Sequence, residues 1–110
     1  MENNTLISTD KQAENLPAAF DHASFLKSLT TKPGIYQMYG ADGHILYTGK
    51  AKNLKNRLSS YFRQPGLAIN TAALVSKIAS IQVTVTNTDI DSLFLEHKLI
   101  KAQRPPYNNL

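Results

Sequence analysis

Two short apolar runs stand on either side of a turn signal, and this arrangement constrains the fold more than any other feature of the chain. Gly34-Ile35-Tyr36 opens the first run, and Tyr47-Thr48-Gly49-Lys50 closes the second. Ala41-Asp42-Gly43-His44 lies between them, with Asp42-Gly43 as the turn dipeptide. So short a connection permits only antiparallel pairing. The expected unit is a β-hairpin over Ile35 to Tyr39 and Ile45 to Thr48, with a phenol on each arm.

The rest of the chain supplies what a lone hairpin needs to be stable. Asp21 can cap a short helix carrying Phe25, Leu26 and Leu29, which Pro33-Gly34 stops. Asn53 opens a second helix. Its residues Leu54, Leu58, Tyr61 and Phe62 form an apolar stripe, with Lys55, Asn56, Ser59 and Arg63 on the other side. Gln64-Pro65-Gly66 ends it. A third helix is expected from Asn70, as N-cap, to Ala79, with Ala73, Leu74 and Ile78 facing the core. Ile81, Val83 and Val85 alternate with polar residues, as in a half-exposed strand. Thr88 and Asp91 form a capping-box start for a last helix that runs to about Ala102, before Pro105-Pro106. The expected architecture is α/β (α+β): a small three-stranded, antiparallel-containing sheet flanked by helices. Residues 20–110 form the domain, and residues 1–19 read as a flexible arm.

Composition narrows the chemistry. The 110 residues include no cysteine, which removes disulfides, thiolate metal sites and a cysteine nucleophile. His22, His44 and His97 have no ligand spacing. No apolar stretch approaches a membrane span of about 20 residues, and there is no secretory-signal pattern. A monomeric cytoplasmic domain is expected. Net charge is +4 and the pI is about 9.4. Lys50, Lys52, Lys55, Arg57 and Arg63 crowd one stretch that contains no acidic residue, a pattern suited to phosphate partners. A solvated basic helix face would give the same pattern.

Among candidate site residues, Glu96 stands between Leu93, Leu99 and Ile100 at helical spacing. A carboxylate in such a setting is costly unless it is paired or bound to a cation. One reading places it at the stripe's edge, in water or paired with Lys50 or Arg57. The other makes it a ligand for a divalent metal, since Mg²⁺ needs only one carboxylate when waters and phosphate oxygens complete its shell. Arg57 and Tyr61 are four apart and share a helix face. Arg57 could clamp a phosphate, while Tyr61 also suits an ordinary apolar stripe. Lys50 follows Gly49 at a strand-to-helix junction and could meet a phosphate too. A free phenol ionises near about 10. Tyr47 as a proton acceptor would therefore need nearby cations, for which Lys50 and Arg57 are available.

Taken together, the GIY and YTG tripeptides resemble the signature of the GIY-YIG nucleases. The run Tyr47 to Phe62 closely resembles the N-terminal domain of the UvrC family. So do Leu95-Glu96-His97-Lys98-Leu99-Ile100-Lys101, Arg104-Pro105, Tyr107-Asn108, and Phe20-Asp21 through Pro33-Gly34. The resemblance implies the GIY-YIG endonuclease fold, with Tyr47 as general base and Tyr36 orienting it or the water. It places Lys50, Arg57 and Tyr61 about the scissile phosphate, and one divalent metal, Mg²⁺ or Mn²⁺, on Glu96. Gly34, Gly49 and Asn108 would be supporting positions, and Lys52, Lys55 and Arg63 DNA contacts. The implied reaction is metal-dependent hydrolysis of a DNA phosphodiester 3′ to a lesion in nucleotide excision repair, leaving a 3′-hydroxyl and a 5′-phosphate. Lesion-bearing double-stranded DNA and UvrB are the implied partners, UvrB through regions absent from this chain.

Two departures stand out. Thr48 occupies a position where the motif usually has Ile or Val, and its hydroxyl needs a partner if buried. UvrC-type proteins also continue past this length, so an excised domain and a stand-alone back-up repair nuclease both fit, as does a DNA-binding module without catalysis.

Overall fold

The computed structural model describes residues 20–63 and 65–109. The arm expected over residues 1–19 lies outside the described residues.

The elements run α1 (His22–Lys27), β1 (Gly34–Tyr39), β2 (Ile45–Ala51), α2 (Leu54–Arg63), α3 (Ile69–Lys77), β3 (Ser80–Val85) and α4 (Asp89–Gln103), followed by a 3-10 turn at Pro106–Asn109. The sheet order is β2-β1-β3, and both pairings are antiparallel. The three-stranded sheet with flanking helices is the expected architecture. The connection between β1 and β2 is longer than a two-residue turn. Gly40 N–H bonds the His44 carbonyl at 3.0 Å, Asp42 accepts from His44 N–H at 3.0 Å, and Gly43 takes φ 83°. A register irregularity falls between Met38 and Tyr39. It sets Met38 opposite Tyr47 and Tyr36 opposite Gly49, so Tyr36 and Tyr47 fall on one face of the sheet.

That face carries the core. Tyr36 and Met38 pack with Leu54 and Leu58 of α2, and with Leu74 and Ile78 of and after α3. Leu54 and Leu58 are fully buried, and each contributes about 1.5–3 kcal/mol by its burial. This anchors α2 beside the hairpin. Asp21 caps α1 by accepting from Ser24 N–H at 3.1 Å, and Asn53 accepts from Asn56 N–H at 3.0 Å at the start of α2. Helix α3 departs from expectation. It begins at Ile69, with Ala68 at the N-cap and no side-chain cap. Ala68 is extended, at φ −56° and ψ 151°, so the helix starts before Asn70 can cap it. It ends before Ile78, which turns to ψ 124° and is buried as the chain enters β3.

The opposite face receives α4, which lies against β2 and β1. Ile35 and Thr48 are fully buried there and Gln37 nearly so. Thr88 caps α4 by accepting from Asp91 N–H at 3.0 Å. Ser92 is buried on this helix, while Leu95, Glu96, Leu99 and Ile100 are half-buried. Gln103 follows and accepts from Gln37 Nε2 at 2.9 Å. The expected burial of Leu93 and Val85 does not occur; each is 47 % exposed. Helical spacing puts Ser92, Leu95, Leu99 and Gln103 inward, which turns Leu93 outward.

Candidate active site

The hairpin and α2 jointly build a phenol–guanidinium cluster. Tyr36 Oη lies 2.7 Å from Tyr61 Oη, one hydroxyl donating to the other. Arg57 donates to both: Nε to Tyr36 Oη at 3.2 Å, and Nη2 to Tyr61 Oη at 3.3 Å. Its guanidinium also lies over the Tyr61 ring, 5.0 Å from the centroid, an added cation–π attraction. The Tyr36 and Tyr61 rings meet edge-on at 5.9 Å, and the Tyr36 and Tyr47 rings are tilted at 6.1 Å. Tyr36 is 1 % exposed. Its hydroxyl is engaged by Arg57 and Tyr61.

Glycine makes this stacking possible. A Cβ on Gly49 would lie 2.5 Å from both Cζ and Oη of Tyr36, and 2.9 Å from Tyr47 Cε2. The Tyr36 ring therefore rests on bare backbone, and the strand needs glycine there for close approach. Gly34 has the same kind of role at the other end of β1, where a Cβ would collide with the Thr84 carbonyl oxygen and sit 2.9 Å from Leu54 Cδ1. Asn108 clamps β2 from outside. Its Oδ1 accepts from Thr48 N–H at 2.9 Å and its Nδ2 donates to the Thr48 carbonyl at 2.9 Å. The side-chain amide thus pairs with an edge strand as another strand would. The Thr48 hydroxyl is buried with no hydrogen-bond partner among the described residues.

Tyr47, Arg57 and Tyr61 line a cleft of about 330 Å³. Burial pushes the Tyr36 phenol up, reinforced by Tyr61. Tyr47 also moves up: burial is the main cause and Tyr61 adds to it, with Arg57 opposing and Glu96 raising it further. The expected phenolate-favouring cations are thus outweighed. Of the two, Arg57 opposes the rise, and Lys50 lies with Nζ 3.7 Å from Asp89 Oδ1.

Glu96 is half-buried on the inward side of α4 and close enough to Tyr47 to act on its ionisation. Its apolar setting is weaker than its neighbours in sequence suggest, since Leu93 faces out. It makes neither of the expected pairings with Lys50 or Arg57 among the described residues. No group of three or more His, Asp or Glu side chains gathers there among the described residues. A cation at this site would have one carboxylate from the protein. The remaining basic residues are spread out. Lys52 and Arg63 are exposed and Lys55 is half-buried. The cleft is completed by residues that sequence reasoning missed: Ser60, Asn70, Thr71 and Tyr107. Nothing in their spacing marks them, because α3 and the C-terminal turn reach the cleft only through the tertiary fold.

Comparison with known proteins agrees with this architecture. The profile of the UvrC-like GIY-YIG domain matches residues 32–109. UvrABC system protein C of Saccharophagus degradans is 63 % identical over 94 residues, or 86 % of this chain and 15 % of that protein. The protein of the same name from Hahella chejuensis is 58 % identical over 83 % of the chain and 15 % of its own length. The chain thus spans about 15 % of these relatives. Among solved structures, the GIY-YIG N-terminal endonuclease domain of UvrC from Thermotoga maritima, bound to magnesium as its catalytic divalent cation, superposes with a TM-score of 0.70. That match has 28 % identity and covers 77 % of this chain and 92 % of the other.

Proposed function

This chain belongs to the UvrC-like GIY-YIG family, and we propose that it is a metal-dependent DNA endonuclease domain that hydrolyses a phosphodiester 3′ to a lesion in nucleotide excision repair. The carrying observation is the Arg57 guanidinium, held by two phenol hydroxyls at the edge of a cleft that Tyr47 also lines. A positive group fixed in advance is what stabilises charge gathering on a phosphate. Ordered phenols cost little to keep in place once the fold has packed them.

The residues fit a single divalent ion, Mg²⁺ or Mn²⁺. Glu96 is a half-buried carboxylate with no salt bridge to Lys50 or Arg57, and one carboxylate suits an ion that keeps waters and takes phosphate oxygens. Such an ion, when bound, supplies charge neutralisation at the phosphate and the leaving oxygen. Arg57 binds a non-bridging oxygen of the phosphate. Tyr61 sets the angle of Arg57, and Tyr36 fixes both. Tyr47, once its own proton has gone to solvent, takes a proton from the attacking water as the water oxygen bonds phosphorus and the bond to the 3′ oxygen breaks, and that oxygen takes a proton from solvent. The Tyr47 hydroxyl must first lose its own proton against the effect of burial, and the positive charge of Arg57 is the protein's contribution to that loss. Lys50, drawn to Asp89, meets DNA at the strand-to-helix junction, with Lys52, Lys55 and Arg63 outside it. These contacts position the backbone and read no sequence, so lesion choice rests with UvrB or with regions found in the longer relatives. The reading makes the chain a monomeric cytoplasmic module, residues 20–110, acting on lesion-bearing duplex DNA.

The test is nicking of a lesion-bearing duplex in Mg²⁺ or Mn²⁺ with UvrB supplied. Wild type nicks on the 3′ side, and Glu96→Ala and Tyr47→Phe lose nicking. Nicking by either variant at the wild-type rate would sink the assignment.

A further inference from the structure

Helix α3 also lines the cleft, through Asn70, Thr71 and Leu74. Leu74 is 4 % exposed and fixes the helix on the core. Asn70 and Thr71 lie four and three residues before it, so they share its face one turn nearer the N-terminus. Both residues line the same cleft as Tyr47 and Arg57. Neither the Asn70 amide nor the Thr71 hydroxyl has a side-chain hydrogen bond among the described residues. Neighbouring Ser76, by contrast, donates to the Ala73 carbonyl at 2.7 Å, and Ser60 donates to the Arg57 carbonyl at 2.6 Å. Among the described residues, the cleft thus carries one cation, Arg57, and two donor-bearing side chains with no side-chain hydrogen bond, exposed Asn70 and half-buried Thr71.

From this geometry we infer that Asn70 and Thr71 are positioning residues for the DNA strand, hydrogen-bonding the sugar–phosphate of the nucleotide next to the scissile phosphate. The inference rests on the nuclease reading and extends it to a substrate contact. The cleft, at about 330 Å³, is at the small end of ligand sites. Arg57 is the single charged side chain among the described residues that line it and meets the reacting phosphate, while Asn70 and Thr71 are neutral. Neutral amide and hydroxyl donors suit phosphate and sugar oxygens, which are contacted by Asn and Thr as well as by Lys and Arg. They hold the strand without competing for the reacting charge, so they act on where the strand lies and leave the bond-making groups alone.

The experiment measures nicking kinetics in Mg²⁺ with UvrB supplied, and equilibrium binding of a fluorescent duplex, for wild type, Asn70→Ala, Thr71→Val, the double variant and Asn70→Asp. Each single variant should raise KM and Kd about fivefold, the worth of one hydrogen bond. The value of kcat should stay within about twofold and the thermal midpoint should not move. Asn70→Asp keeps the size of the side chain and adds a negative charge, so its loss of binding should deepen as salt is lowered. Unchanged KM and Kd in the double variant overturn the inference while wild-type nicking leaves the nuclease reading standing. A fall in kcat with KM unchanged also overturns it, because the residues would then act on the chemistry. If wild type binds without nicking and the variants lose binding, the strand contact stands and the nuclease reading falls. A wild type that neither binds nor nicks removes both.

Discussion

At the scale of single residues, the site is a set of polar groups that the fold has placed under different constraints. Tyr36 is a phenol kept neutral by burial, with Tyr61 adding to the effect. The folded state thus holds its proton more tightly than the unfolded chain, whose phenols ionise near about 10. Stability from this group is fully present below that pH and is lost as pH rises above it. Urea midpoints should accordingly fall between pH 9 and 11, and Tyr36→Phe should fall less steeply. Equal slopes would mean that Tyr36 is not the group responsible. Thr48 is the reverse case, a buried hydroxyl with no partner among the described residues. Thr48→Val removes the hydroxyl at nearly constant shape and should stabilise the domain by about 1 kcal/mol, a rise of roughly 4–8 °C in thermal midpoint. A lower midpoint would show that the hydroxyl has a partner after all. The sequence showed that Thr48 departs from the motif and that a buried hydroxyl there would need a partner. It could not show that none would be found, because the partner had to come from α4 or the C-terminal turn.

At the scale of elements, the site depends on how closely strand, helix and C-terminal turn approach one another. Gly49 sits directly under Tyr36. Gly49→Ala would push the ring away and should cost about 1–3 kcal/mol as overpacking. It should also lower nicking, since Arg57 loses an acceptor. Circular dichroism melting, paired with a nicking assay, checks both. Full activity in a destabilised variant would separate the packing from the site. Asn108 joins the C-terminal turn to β2 through both of its amide atoms. Asn108→Ala leaves the Thr48 amide and carbonyl without that partner, and the loss should be about 1–3 kcal/mol. Amide exchange at Thr48 should quicken while exchange at Met38, in the central strand, stays slow. The hairpin, α2 and their junction were legible in the sequence, because apolar period and turn chemistry are local. The start of α3 was not, since asparagine is a good N-cap wherever it occurs and the fold chose Ala68 instead.

At the scale of the whole molecule, charge and topology are distributed for different purposes. The basic stretch looked uniform along the chain. In the fold Lys50 turns to Asp89, which leaves Lys52, Lys55, Arg57 and Arg63 as the unpaired members of that stretch among the described residues. Salt dependence of DNA binding should therefore be modest, with a slope of log K against log salt no steeper than about −4. A titration by fluorescence anisotropy measures it, and a much steeper slope would point to a phosphate-binding surface outside this stretch. Sequence by itself carried the family resemblance, the hairpin with its two tyrosines, and the shared helix face of Arg57 and Tyr61, because each depends on residue type and near-neighbour spacing; the grouping of these two with Tyr36 was implied by the resemblance alone. Only the tertiary structure decided that Tyr36 is buried, that burial raises the Tyr47 phenol despite its cation, and that α3 contributes to the lining of the cleft. Those outcomes depend on distances between segments tens of residues apart, and such distances are set by the packing of the sheet against its helices.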